Sequence, residues 1–183
     1  MNKIITILLI CIGFSQAALG ETKKETSLGY ISALGTFNFQ KAAEYINDRD
    51  LGEFKSVFLN IYRAEQAQGK NEFKNLTFGP SVKLLDIEKV GNEIFFAKIV
   101  RALMGVSEDI IGQIEILPSQ YLGEIEENER LHHSLVRSNM KLGSNQTTKI
   151  EIISMIPEGT QWKIILPENF KTMGNMVAQK LGL

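Results

Sequence analysis

The chain has 183 residues, 20 of them basic and 21 acidic, for a net charge of −1. That balance excludes the basic stripe of a nucleic-acid binder and the polybasic run that would hold anionic lipid. The length suits one domain, large enough to bury a core without disulfides or a structural metal.

Met1-Asn2-Lys3 is a short basic start, followed by an apolar run over residues 4–14 and small residues at Ala17 and Gly20. This pattern predicts a secretory signal peptide over residues 1–20, cleaved after Ala17 or Gly20, with an apolar part too short to anchor in a bilayer. Cys11, the single cysteine, follows Leu8-Leu9-Ile10. It lies too early for a lipoprotein signal and reads as an apolar member of the run. Export without cysteine points to a bacterial periplasmic or secreted protein rather than a disulfide-framed animal one. In that setting the glycosylation patterns at Asn75-Leu76-Thr77 and Asn145-Gln146-Thr147 are chance matches. Residues 21–183 then form one domain.

Glu21-Thr22-Lys23-Lys24-Glu25 reads as a polar leader. Thr26 or Ser27 can cap a first helix with Leu28, Ile31 and Leu34 on one face, stopped at Gly35-Thr36. Asn38 caps a short second helix carrying Phe39, Ala42, Ala43 and Ile46. A third starts near Asp48 or Asp50, with Leu51, Phe54, Phe58 and Ile61 as a core-facing stripe, and stops at Gly69. Residues 82–90 and 93–103 flank Gly91-Asn92, a two-residue turn pair, and predict a β-hairpin. There Asp86 and Glu88 share parity with apolar residues, which places them either at an end that leaves the core or in a pocket.

Residues 104–130 are irregular, punctuated by Gly105, Gly112, Pro118 and Gly123. They read either as extra strands or a short helix on the core, or as a projecting recognition element, with 110–122 as its lid or docking edge. Residues 132–142, 147–156 and 161–166 alternate with period two and predict an antiparallel sheet. Its dry face is assigned Val136, Met140, Leu142, Ile150, Ile152, Ile156, Trp162, Ile164 and Leu166. Its wet face is assigned Arg137, Lys141, Lys149, Glu151 and Lys163. Pro167-Glu168 opens a terminal helix that ends at Gly182.

The fold class is therefore α+β: N-terminal helices on a curved antiparallel sheet, closed by a C-terminal helix. Two stretches carry a family resemblance: Tyr30-Ile31-Ser32-Ala33-Leu34 through residues 39–46, and Gln161-Trp162-Lys163-Ile164 on a last strand. They resemble the opening helices and closing strand of exported bacterial members of the nuclear transport factor two-like superfamily, a cone-shaped fold. Asn38 stands where that family usually has an acidic residue. The resemblance implies a pocket between the concave sheet face and the helices, and no particular reaction.

The pocket residues expected on that basis are Tyr30, Tyr62, His132 and Ser134. By parity His132 faces inward with Ser134, and His133 faces water. Two adjacent histidines with divergent side chains and no mature cysteine make no zinc site. The glutamates at 124, 126, 127 and 129 fit no calcium loop and read as a solvated acidic surface. No phosphate-cradling or nucleophile-elbow motif occurs, so no cofactor is implied. The functional expectation is an exported, non-enzymatic domain that takes a small apolar ligand or an envelope protein partner. The alternatives are a small-molecule isomerase or dehydratase using His132 as proton shuttle, and a structural subunit of an envelope complex. Related folds often dimerise through the outer sheet face, but the charges assigned to it here point to a monomer.

Overall fold

The computed structural model describes residues 21–105 and 113–183. Residues 1–20, expected to be a signal peptide and including Cys11, and residues 110–112 of the expected lid lie outside the described residues.

Helix α1 (Lys23–Gly35) starts inside the segment read as a leader. Thr22 Oγ1 accepts from Glu25 N–H, and the Glu25 side chain accepts from Thr22 N–H, closing a capping box four residues ahead of the expected cap. Short α2 (Phe39–Ala43) is capped by Asn38, as its sequence predicts. Helix α3 (Asp48–Ala67) buries Leu51, Phe54, Phe58 and Ile61. Asn47 caps α3 and also donates from Nδ2 to the carbonyl of Ile164, while Asp50 accepts from Leu166 N–H. These two buried polar side chains tie the start of α3 to the end of the last strand.

The expected hairpin over residues 82–103 is wrong. The chain forms α4 (Glu72–Phe78), α5 (Leu84–Glu88) and α6 (Asn92–Met104) instead. Phe95, Phe96, Ile99 and Val100 are all buried, a spacing of one, three and one that fits a helical stripe and not alternation. Gly91 is the N-cap of α6 rather than a hairpin turn. Lys55 Nζ donates to the carbonyls of Glu88 and Val90 and so closes the end of α5. The parity puzzle at Asp86 and Glu88 disappears with the strand: Asp86 is exposed, and Glu88 pairs with Arg63 at 2.6 Å.

Among the described residues, four antiparallel strands follow in simple meander order: β1 (Ile114–Asn128), β2 (Leu131–Leu142), β3 (Asn145–Glu158) and β4 (Gln161–Ile164). Most of the segment read as irregular is thus a strand, β1. Leu142 pairs with Asn145, so even positions on β2 face odd positions on β3. The dry-face assignment therefore holds on β2 and β4 but inverts on β3. Ile153 and Met155 are buried, while Ile150 and Ile152 are 54% and 68% exposed on the outer face. Lys149 and Glu151, assigned to the wet face, lie on the inner side opposite Ser138 and Val136.

Helix α7 (Glu168–Leu181) closes the chain and packs on α3. The contact depends on Gly174, where an added Cβ would clash with Val57 Cγ1. Alanine is the better helix former by about 1 kcal/mol. Overpacking nevertheless reverses the sign, and Gly174→Ala is expected to destabilise the fold by about 1–2 kcal/mol. Urea unfolding checks this; a raised midpoint would show that the helices separate freely.

Candidate functional site

The four residues expected around one pocket are divided by the structure. Tyr62, on α3, sits in an aromatic layer among helices, its ring centroid 5.6 Å from Phe73 and 6.3 Å from Phe95. Its hydroxyl is 2.7 Å from Thr77 Oγ1. Burial raises its pKa well above the ordinary phenol value, partly offset by the Thr77 bond. Tyr30 lies on α1, buried, with its pKa raised by burial and by the Glu151 carboxylate. It lines a groove between α1, β3 and the start of α7. His132 and Ser134 face inward on β2, as their parity predicts, and both are buried.

His132 belongs to a polar cluster at the sheet end where α1 begins. Lys23 Nζ is 3.0 Å from His132 Nδ1 and 2.9 Å from Glu124 Oε1. An ammonium only donates, so Nδ1 accepts and the ring proton sits on Nε2. Trp162 meets the imidazole edge-on at 4.6 Å, and Lys23 lies 5.1 Å from the Trp162 ring centroid. Tyr121 donates to Glu124 Oε2 at 2.9 Å. The Lys23 hydrogen bond, then the Tyr121 bond, holds the Glu124 carboxyl below its usual range. Burial raises the Tyr121 phenol. Four elements, α1, β1, β2 and β4, thus converge on one cluster that pins α1 to the sheet. Lys23 was read as leader and Glu124 as solvated surface. The capping-box pattern Thr22-x-x-Glu25 was the signal that α1, and Lys23 with it, starts early enough to reach the sheet.

His133 points the other way, to Ser154 Oγ at 2.9 Å and Glu127 Oε2 at 2.8 Å. Among the described residues no group of three or more metal-ligating side chains converges. Nor is any described helix long and apolar enough to cross a membrane.

The inner face of the sheet remains open at its other end, for a reason of length. Helix α1 has 13 residues and spans about 20 Å at 1.5 Å per residue. Strand β2 has 12 residues and spans about 40 Å at 3.3 Å per residue. One helix covers half of such a sheet. Beyond its end lies a cleft of about 320 Å³ between Ile31, Leu34, Phe37 and Met104 on the helical side and Ile114, Ile116 and Met140 on the sheet. Polar groups reach it from Ser119, Ser138, Asn139 and Glu151.

Comparison with protein-family models, with curated proteins and with solved structures found no match. The cleft is therefore judged on its own geometry.

Two backbone features shape it. Gly35 brings α1 against β1: a Cβ there would stand 3.1 Å from Ile116 Cγ2. Phe37 has φ +57°, the only non-glycine residue with positive φ among those described. It occupies the left-handed position after α1, where Asn38 N–H reaches back to the Ala33 carbonyl. Glycine is the ordinary residue there. A phenylalanine accepts backbone strain in order to put its ring into the cleft wall, and such strain concentrates at sites of function. Neither Tyr62 nor His132 lines this cleft, and Tyr30 borders it only through the adjoining groove.

Proposed function

We propose that this is an exported binding domain that takes a small apolar ligand in the cleft beyond the end of α1. The observation that carries the reading is the cleft itself. Its volume is at the lower end of the range for small-molecule sites, its walls are largely aliphatic and aromatic, and a few polar groups stand at one side. The strained Phe37 and the close Gly35–Ile116 contact support it. The signal-like residues 1–20 support a periplasmic or secreted location. The order of helices followed by a meander supports reading the domain as a nuclear transport factor two-like cone.

An enzymatic role for His132 has less support. Its Nδ1 is occupied by an ammonium, its ring is buried under α1, and it lines none of the cavities described above. A proton shuttle needs a free ring nitrogen within hydrogen-bond reach of substrate.

The test uses Gly35→Met, which fills the cleft from the α1 side while favouring the helix. Titration calorimetry with a medium-chain aliphatic alcohol is expected to show saturable binding to the parent chain and at least about tenfold weaker binding to the variant, a difference of about 1.4 kcal/mol. Equal affinity in a variant with unchanged circular dichroism would place the ligand elsewhere.

A further inference from the structure

Three side chains stand in line on the outer face of the sheet. Ser154 on β3 lies directly opposite His133 on β2, and Glu127 reaches the same ring from β1. Ser154 Oγ is 2.9 Å from His133 Nδ1, and His133 Nε2 is 2.8 Å from Glu127 Oε2. A carboxylate only accepts, so Nε2 carries the proton of the neutral ring. Nδ1 keeps its lone pair and accepts from the Ser154 hydroxyl. This is the order of groups that a hydroxyl nucleophile needs: the hydroxyl on a basic ring nitrogen, and the other nitrogen held by an acid. Either ring nitrogen serves as the base when the other carries the proton. The His133 side chain is 21% exposed and Ser154 is half-buried, so the pair borders solvent without being flooded by it.

The surface around this line is apolar. Ile125 lies opposite His133 and is 58% exposed. Ile152, also exposed, lies opposite the half-buried Leu135. On its other side Leu135 faces Gly123, where an added Cβ would meet nothing within 4 Å. The missing side chain leaves a shallow hollow among Ile125, Leu135 and Ile152, next to the His133–Ser154 pair. Contiguous apolar surface left open to water marks a place where something apolar lies. Ser154 also borders the groove between β3 and the start of α7, which leaves room for the alcohol side of an ester.

We propose that Ser154 is an acyl-accepting nucleophile, with His133 as its general base and Glu127 as the positioning residue, and that this face takes esters of short aliphatic acids. Ser154 Oγ bonds to the ester carbonyl carbon while its proton passes to His133 Nδ1. The bond from that carbon to the alcohol oxygen then breaks, and the leaving alkoxide takes the proton from Nδ1. Water, giving a proton to the same nitrogen, later attacks the acyl-serine and releases the acid. Ser154 N–H points to the β4 side with the carbonyl that accepts from Ile165 N–H, and is the donor nearest to the carbonyl under attack. One such donor suits activated esters rather than amides. The cleft lies on the inner face, so either activity can fail alone.

Hydrolysis of p-nitrophenyl butyrate by the purified chain, with mass spectrometry of the acylated protein, tests this. The parent is expected to release p-nitrophenol and to carry a butyryl group on Ser154. Ser154→Ala is expected to fall to the buffer rate, and His133→Gln to lose at least about a hundredfold. Glu127→Gln is expected to lower kcat about tenfold at unchanged KM, which marks a group that orients the base rather than one that shapes the surface. None of the three side chains belongs to the core, and the circular dichroism of each variant is expected to match the parent's. A parent chain no faster than buffer, a Ser154→Ala variant that keeps the parent's rate, or a butyryl group found on another residue would each overturn the proposal.

Discussion

Replacing Glu65 by alanine is expected to lower the unfolding free energy by about 3 kcal/mol, because two charge-assisted hydrogen bonds of about 1.5–3 kcal/mol each are lost, less the relief of a buried charge. Glu65 is completely buried on α3. Its carboxylate accepts from Phe73 N–H at 2.9 Å and from Lys74 N–H at 3.2 Å. These are the second and third helical positions of α4, whose own N-cap, Asn71, makes no side-chain cap bond. A residue eight positions upstream thus does the work of a cap, and its negative charge also faces the positive end of the helix. Helix α4 has only seven residues and cannot hold itself together. It carries Phe73, which packs on Phe58 and Tyr62. Glu65→Gln separates charge from volume. The amide keeps one acceptor but aims N–H donors at another N–H, so it is expected to cost about 2 kcal/mol. Urea unfolding of both variants is the measurement. A glutamine variant as stable as the parent would show that the site requires only a side chain of that size.

Legibility in the sequence followed the reach of each interaction. Helix α3 was readable because Leu51, Phe54, Phe58 and Ile61 repeat at helical spacing, and the last three strands because they alternate. Those patterns are local. Helices α5 and α6 were misread because Gly91-Asn92 mimics a hairpin turn, and because Phe95-Phe96 and Ile99-Val100 are adjacent pairs that strand propensity also favours. The face of β3 was misassigned for a smaller reason. A two-residue turn shifts parity between strands, and a single face cannot carry even numbers through it. His132 and Ser134 were placed correctly on the inner side, but whether that side is open or roofed depends on where α1 begins. That in turn rests on the Thr22–Glu25 capping box and on Lys23, which reaches residues more than 100 positions away. A pocket between helices and sheet was implied by the resemblance, but the residues that line the cleft were not legible. Its walls come from α1, α6 and three strands, and its opening is a difference between the length of a helix and that of a sheet.

Raising the pH is expected to unfold this domain steeply from about pH 10, and Tyr30 and Tyr62 are expected to account for much of the slope. An unfolded tyrosine titrates near pH 10. Burial raises both phenols well above that in the folded state. Below the unfolded value both states hold the proton and stability is at its full level. Above it the unfolded chain releases protons that the native chain retains, so stability falls as pH rises, by about 1.4 kcal/mol per pH unit for each group. Two such groups give about 3 kcal/mol per unit, enough within two units to remove a typical domain's margin. Phenylalanine variants distinguish the two. Tyr30 Oη is buried without a hydrogen-bond partner among the described residues, so Tyr30→Phe is expected to cost nothing at neutral pH and to delay alkaline unfolding. Tyr62 is bonded to Thr77, so Tyr62→Phe is expected to lose about 1 kcal/mol at neutral pH while flattening the same slope. Tyrosinate absorbance followed alongside circular dichroism reads both effects. Lysine deprotonation is common to all three chains and cancels in the comparison. If both variants unfold at the parent's alkaline midpoint with the parent's slope, the buried phenols are not what fails.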